Sequence, residues 1–421
     1  YKNSALEMYT NTNKSFYFNF KYEEDRENAF NDILSKLKDP IQIIDDLKEN
    51  KDVLFSNVIG YENTSININK NKKIKKKLKL SKIISKWKEW KISNFELLMW
   101  LNIFGNRSYN DISQYPIFPW IFLESSLGSH KDENKLPKFR ELAFPISIKK
   151  EEDKEEAKSF FESNYSENPK YPCHYRLHYS TSGYLLSYLV RIPPFTEEQI
   201  RFQNNQFDSP NRQLQSIDEI LHILTSSNDN RELIPELFTT PEFLLNFNYV
   251  DFGYRLNDKI MINDVKWQEK FFNSITQFIY YNRLILNKKS DFKEVNLADF
   301  KEELKINSWI DLIFGYKQWD KNPKKDKLNL FGKYCYKQNV NFDDILGKYK
   351  KKGFDNKQII RKIESKKARI INFGQCPEIL FHKKHDESIS SINTANDDKN
   401  KQKFISNEIL DMEDIDRKSV V

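Results

Sequence analysis

His174 and His178 stand four residues apart with Cys173 beside them, a trio that on a helix could contribute to a metal site. Zinc needs three or four ligands on converging geometry, however, and Pro172 with the surrounding tyrosines favours extended backbone, on which residues i and i+4 do not share a helical face. Structural histidines are the expectation, and no metal or cofactor is expected. Ser180-Thr181-Ser182-Gly183 invites comparison with a nucleophile elbow but lacks the first glycine of that turn, and no strand-to-helix step is read there. Asp311 sits alone among Trp309, Ile310, Leu312, Ile313 and Phe314. A carboxylate buried there could serve as an acid of raised pKa, but a structural ion pair with Arg107, Arg212 or Lys317 explains it more simply. No Walker loop, dinucleotide-binding glycine loop, HExxH helix or EF-hand loop occurs. Asp311 and Arg212 are therefore expected as buried structural polar residues, and catalytic residues as none.

The elements that must hold these side chains are mainly helical. Ser93-Asn94-Phe95-Glu96 has the spacing of a capping box, with Ile92 and Leu97 placed as a hydrophobic staple, and the helix it opens should end near Gly105. Thr196–Gln199 repeats the spacing. Pro241 fits a first helical turn. Ile217, Ile220, Leu221 and Leu224 mark one amphipathic face, and Phe271, Ile275, Phe278, Ile279 and Leu286 another. Two short basic helices are expected between Asn341 and Lys367. Further upstream, Ala5–Tyr9 and Ser15–Phe20 read as strands joined by a turn-prone stretch, followed by a helix from about Glu23 to Leu37. Residues 39–80 read as a polar connector without a sustained period, and Ser388–Val421 as a disordered linker.

Other stretches keep no period at all. Arg107–Asp111 and Gln114–Trp120 alternate aromatics with hydrogen-bonding side chains. Buried irregular backbone leaves amides and carbonyls that need partners, and Asn94, Asn102, Asn110, Asp111, Gln114, Asn246 and Asp264 are of the types that supply them.

Bulk properties narrow the function classes. With 38% hydrophobic and 14% aromatic residues in 421, a sizeable core is affordable, while ten glycines and fourteen prolines argue against a strand-dense sandwich. Three separated cysteines make no disulfide framework, which fits a reducing, cytoplasmic setting. No apolar run reaches the ~18–20 residues of a membrane span. The net charge of +7 is local: Lys70–Lys91 holds eleven lysines against Glu89, so the rest sums to −3. Within it, Lys70, Lys72, Lys73, Lys75, Lys76, Lys77 and Lys79 crowd ten residues. A solvated linker accounts for this run without a ligand; an anionic membrane surface is the partner weighed next, and nucleic acid last.

Read together, these strings resemble the BEACH domain family. The resemblance runs from about Trp87 to Phe381 and is carried by Trp309–Gln318, Arg107–Trp120, Cys173-His-Tyr-Arg-Leu-His-Tyr-Ser180, Tyr188–Arg191, Phe207-Asp208 with Arg212, Arg231-Glu-Leu-Ile-Pro-Glu236, Leu328–Phe331 and Phe373-Gly-Gln-Cys-Pro377. The family's apolar step after Asn263-Asp264-Val265 is replaced by Lys266-Trp267-Gln268. The resemblance implies a mainly α fold with irregular extended core segments surrounded by helices. Its expected organisation is the end of a pleckstrin-homology-like (PH-like) domain over 1–38, a basic linker over 39–80, the BEACH domain over 81–385, and a linker over 386–421 toward a WD-repeat propeller, the chain being read as a piece of a longer protein. It also implies a noncatalytic scaffold for protein or peptide partners in vesicle or lysosomal traffic or autophagy, cytoplasmic and peripheral to endomembranes. The alternative is a membrane adaptor working through Lys70–Lys79; a hydrolase using Asp311 or Ser182 is the third reading. The expected partner groove lies where the N-terminal domain meets the BEACH core, with walls from Asn94, Arg107, Tyr109 and Asp111.

Overall fold

The computed structural model describes residues 5–9, 15–36, 41–44, 74–78, 80–89, 91–121, 139–205, 207, 213–226, 229–255, 259, 261–266, 275–287, 304–319, 324–340 and 342–382. The chain divides into two compact units, Tyr1–Trp87 and Lys88–Val421.

In the first unit, β1 (Ala5–Tyr9) and β2 (Ser15–Asn19) pair antiparallel, with Ala5 opposite Asn19 and Tyr9 opposite Ser15. α1 (Glu23–Lys36) follows, with Phe30 and Arg26 buried and the Arg26 guanidinium 2.6 Å from the Glu27 carboxylate. Strands and helix thus stand where the apolar runs predict them. The connector is different. β3 (Ile41–Ile44) pairs in parallel with β4 (Ile74–Leu78), inside the stretch read as aperiodic. A parallel strand finds its partner far along the chain, so neither short run carries a local period that reveals it. Lys75, Lys76 and Lys77 therefore belong to a strand, while Lys70, Lys72, Lys73 and Lys79 lie outside the described residues. α2 (Leu80–Lys88) buries Ile83 and Trp87.

The second unit is helical with long irregular passages. α3 (Asn94–Phe104) starts on the expected box: the Glu96 amide donates to Ser93 Oγ at 3.1 Å and the Ser93 amide to Glu96 Oε2 at 2.9 Å. Ile92 and Leu97 are both buried beneath it, and Gly105 caps the end. α4 (Glu151–Glu167), α5 (Ser182–Leu189), α6 (Phe195–Phe202), α7 (Ile217–Ser226), α8 (Ile275–Asn287) and α9 (Ile306–Ile313) follow. The second expected box does not form. α6 begins two residues early, so Thr196 falls inside its first turn and its hydroxyl turns back to the Val190 carbonyl at 2.6 Å, while Gln199 donates to Gln213. Pro241 opens a single 3-10 turn to Leu244. α10 (Phe342–Lys351) and α11 (Asn356–Phe373) are the two basic helices, the second running six residues further than expected.

Between the helices, extended segments meet by isolated bridges, with no sheet among the described residues of this unit. Phe118 and Leu233 exchange both main-chain hydrogen bonds, and the His174 and Tyr175 amides both donate to the Leu330 carbonyl. The segment after α11 runs back through the middle: Cys376 donates to the Cys335 carbonyl, Glu378 to that of Gly105, and Leu380 to that of Phe314. Trp309, Leu97, Ile117, Phe118, Leu186 and Phe314 form part of the buried interior around these strands.

Candidate functional site

Side chains of the aperiodic motifs are turned inward, onto main chain. Asn102 closes a two-way bridge: its Nδ2 donates to the Leu98 and Ile117 carbonyls while its Oδ1 accepts from the Ile117 amide at 2.7 Å. Asn329 Nδ2 donates to the carbonyls of Leu312 and Lys317, and its Oδ1 accepts from the Tyr179 hydroxyl at 2.7 Å. Gln318 Nε2 donates to the carbonyls of Ile313 and Pro377. Asn246 holds Val250 at both ends, and Asp264 accepts from the Asn246 amide. A buried carbonyl or amide left without a partner costs about 1–3 kcal/mol, so each of these side chains makes an irregular path tolerable.

Residues singled out for chemistry are absorbed the same way. Neither histidine lies on a helix. His174 Nδ1 accepts from the Leu330 amide and its ring stacks on Phe161 at 4.7 Å. His178 Nδ1 accepts from the Ser180 amide, which leaves Nε2–H to donate to the Phe373 carbonyl at 2.9 Å. Burial first, then the nearby charge of Arg107, pulls the His178 pKa down to about 3. Ser182 does open a helix, α5, but its hydroxyl donates to the Ile371 carbonyl at 2.7 Å, and Thr181 is the cap that accepts from the Tyr184 amide. That step goes from irregular backbone to helix and was not read from the sequence. Asp311 is buried in α9, where the Lys317 amide returns to its carbonyl at 3.1 Å. Lys317 Nζ approaches the Ala143 carbonyl at 3.4 Å, and Arg212 lies outside the described residues. No group of three metal-ligating side chains occurs among the described residues.

Of the four residues expected to wall a partner groove, two meet at Tyr115, Arg107 and Tyr109. Arg107 points inward: its Nε donates to the Tyr115 carbonyl at 2.8 Å and its Nη1 to that of Gln375 at 2.6 Å. It is 2% exposed, and burial lowers its pKa to about 10. Arg107 is thus a strut between two extended segments, since a guanidinium can feed two buried carbonyls at once. Tyr109 faces outward, 39% exposed, with its ring edge-on to Tyr115 at 5.4 Å and its hydroxyl near Met99 Sδ. Asp111 folds the loop locally, accepting from the Ser113 amide and hydroxyl. Asn94 stands at the start of α3 and ties it to α8 by donating to the Leu286 carbonyl at 2.8 Å.

Below Tyr109 the Tyr115 hydroxyl donates to Glu236, and Arg283 of α8 lies flat over Phe95 at 3.5 Å. The charges of Glu236 and Arg283 both act on Tyr109, with opposite sign. Tyr109, Asp111 and this aromatic–charged floor make a place where motif residues reach solvent. One buried ion pair has no signal in the sequence. Arg140 and Glu232, both essentially buried, meet through Nη1–Oε2 and Nη2–Oε1 contacts of 2.8 Å, and the Trp120 amide also donates to Glu232 Oε2. Nothing near Arg140 in sequence announces a partner 92 residues away.

Comparison with known proteins places this arrangement. The profile of the Beige/BEACH domain matches residues 85–388, and the chain belongs to that family. It is similar to protein SPIRRIG of Arabidopsis thaliana, 36% identical over 73% of this chain. It is also similar to BEACH domain-containing protein lvsD of Dictyostelium discoideum, 35% over 80%, and to WD repeat- and FYVE domain-containing protein 4 of Homo sapiens, 35% over 72%. The matched region is 8%, 11% and 9% of those proteins, so the chain spans about a tenth of the length of the relatives it matches.

Proposed function

We propose that the chain is a noncatalytic scaffold that presents a surface to a protein or peptide partner, in vesicle or lysosomal membrane traffic or autophagy, from the cytoplasmic side of endomembranes. The observation that carries this reading is the use of the motif polar groups. Asn102, Arg107, His178, Ser182, Gln318 and Asn329 each hydrogen-bond main chain, and Asn329 also the Tyr179 hydroxyl, a use that serves rigidity and pairs none of them as nucleophile and base. A rigid frame with an exposed tyrosine over an aromatic floor suits recognition, where aromatic anchors contribute most. Tyr109 and Asp111 are the contact residues in this reading, and Arg107 and Asn94 hold the frame.

The wider organisation belongs to the same proposal. An antiparallel strand pair followed by a helix supports reading 1–38 as the end of a PH-like domain, ahead of a linker over 39–80 and the BEACH domain over 81–385. The WD repeats in the name of the human relative support a propeller beyond 386–421.

Photocrosslinking residues placed at 109 and 111 in cells should capture discrete proteins that a crosslinker at exposed Glu155 of α4 does not. Capture no different from that control defeats the proposal. So does turnover of a lipid, ester or nucleotide by the purified chain that Asp311→Asn abolishes without unfolding it.

A second reading, a peripheral adaptor on anionic lipid, rests on seven lysines within Lys70–Lys79. Such cations contribute on the order of 1 kcal/mol each near an acidic leaflet. Changing four of them to Gln should weaken binding to phosphatidylserine vesicles, and equal binding to neutral vesicles would remove the mechanism.

A further inference from the structure

The helical pair α10–α11 carries a charge that nothing above uses. From Lys348 to Arg369 it holds ten cations (Lys348, Lys350, Lys351, Lys352, Lys357, Arg361, Lys362, Lys366, Lys367 and Arg369) against Asp355 and Glu364. Nine of the ten are exposed, and among the described residues none of the ten is ion-paired. Aromatic faces hold some of them instead. Lys362 lies over Phe354 at 4.7 Å and Lys367 over Phe342 at 5.7 Å, while the half-buried Lys366 donates to the Tyr334 hydroxyl at 2.7 Å. Asp355 is engaged as the cap of α11. Exposed Glu364 offsets one of the ten, and the surface stays strongly positive.

It is also not purely polar. α11 buries Ile359 and half-buries Ile363 and Ile370, while Ile360 and Ile371 sit about 90° round the helix from that face, 56% and 45% exposed. Eleven residues at 100° each return to within about 20°, so the two isoleucines form one stripe roughly 16 Å long. Lys357, Arg361 and Lys367 flank it. We propose that this outer face of α11, with the lysines ending α10, docks on an anionic lipid leaflet, independently of Lys70–Lys79. A leaflet accepts cations at its headgroups and aliphatic side chains just beneath them. A nucleic-acid backbone would take the cations but offers the isoleucine stripe no apolar place.

The full chain with all seven lysines of Lys70–Lys79 changed to Gln isolates this surface. It should sediment with phosphatidylcholine vesicles containing one part in about three of phosphatidylserine, and not with phosphatidylcholine alone. Adding Lys357→Gln, Arg361→Gln and Lys367→Gln, all at exposed positions beside the stripe, should weaken that binding about a hundredfold. Ile360→Ser with Ile371→Ser should weaken it about tenfold while leaving its salt dependence unchanged. Unaltered thermal melting of both variants checks the fold. Undiminished binding by the triple Gln variant overturns the proposal, as does equal binding to neutral vesicles. Absence of vesicle binding by the parent overturns it too, and retention of single-stranded RNA in place of vesicles assigns the surface to nucleic acid.

Discussion

The Tyr115 hydroxyl donates to Glu236 Oε1 at 2.5 Å, joining positions 121 residues apart beneath the exposed ring of Tyr109. The other carboxylate oxygen of Glu236 has no hydrogen-bond partner among the described residues. Burial, opposed by the Tyr115 hydrogen bond, raises the Glu236 pKa to about 6. The folded protein therefore favours the protonated acid. Stability from this group is complete below its ordinary value near 4.5 and is lost as pH rises to about 6. Glu236→Gln cannot titrate. Between pH 4 and pH 7 the stability difference should shift by about 2 kcal/mol in favour of the variant, read by urea unfolding across pH. A difference that does not change with pH would contradict the assignment.

His178 works in the opposite direction. Its folded pKa of about 3 lies below the ordinary 6.5, so the folded state excludes the proton. The stability it supports is present above pH 6.5 and is lost as pH falls toward 3, by up to roughly 1.4 kcal/mol per pH unit. His178→Gln should flatten that limb of the stability curve between pH 6.5 and 4. An imidazole resonance that titrates near 6.5 in the folded protein would show the reading to be wrong. Between pH 4.5 and 6 the His178 and Glu236 slopes oppose, so each single variant should steepen the side the other residue governs.

Arg140 and Glu232 are buried together. Glu232→Ala strands a guanidinium in the interior and should cost about 3–5 kcal/mol, with Arg140→Ala similar. The double variant should cost clearly less than the sum, because neither partner is then left charged and alone. Strict additivity in denaturant unfolding would mean the pair is not coupled.

Gly374 has φ of 68° and ψ of −176°, a region effectively reserved for glycine. An added Cβ would also lie 2.6 Å from the Ser113 carbonyl oxygen. Gly374→Ala should therefore destabilise by at least about 1–3 kcal/mol, seen as a lower melting temperature. Gly347, where a Cβ meets nothing within 4 Å, is the control and should tolerate Ala or gain from it. Equal effects at the two positions would rule out backbone strain as the cause.

Sequence reading succeeded where information is local. The Ser93–Glu96 box, the strand runs at Ala5 and Ser15 and the basic helices after Asn341 each depend on residues within a turn or two, and each stands in the structure. Thr196–Gln199 shows the limit: the same spacing fails once Val190 offers the hydroxyl a better acceptor. Strand β3 and the Arg140–Glu232 pair were invisible because their partners come from far along the chain. Asn102 was recognised by type as a residue that feeds main chain, but only coordinates say which carbonyls. Arg107 was misjudged for a related reason, since an arginine in an aperiodic polar string reads equally as a surface contact and as a strut.

The segment after α11 has a consequence for how such a chain is made. Arg107 reaches Gln375, Gly105 accepts from Glu378, and Phe314 accepts from Leu380, so the last residues of the core are threaded among the first. On a ribosome, the Gly105 carbonyl and the Arg107 guanidinium wait for roughly 270 further residues before these partners are made. Contacts this distant make for slow, late completion and prolonged exposure of apolar surface. Until Pro377 and its neighbours emerge, those inner groups of the growing polypeptide lack their final partners. A chain that stops before Phe373 lacks the partners of Arg107, Gly105 and Phe314, and so loses more than its end.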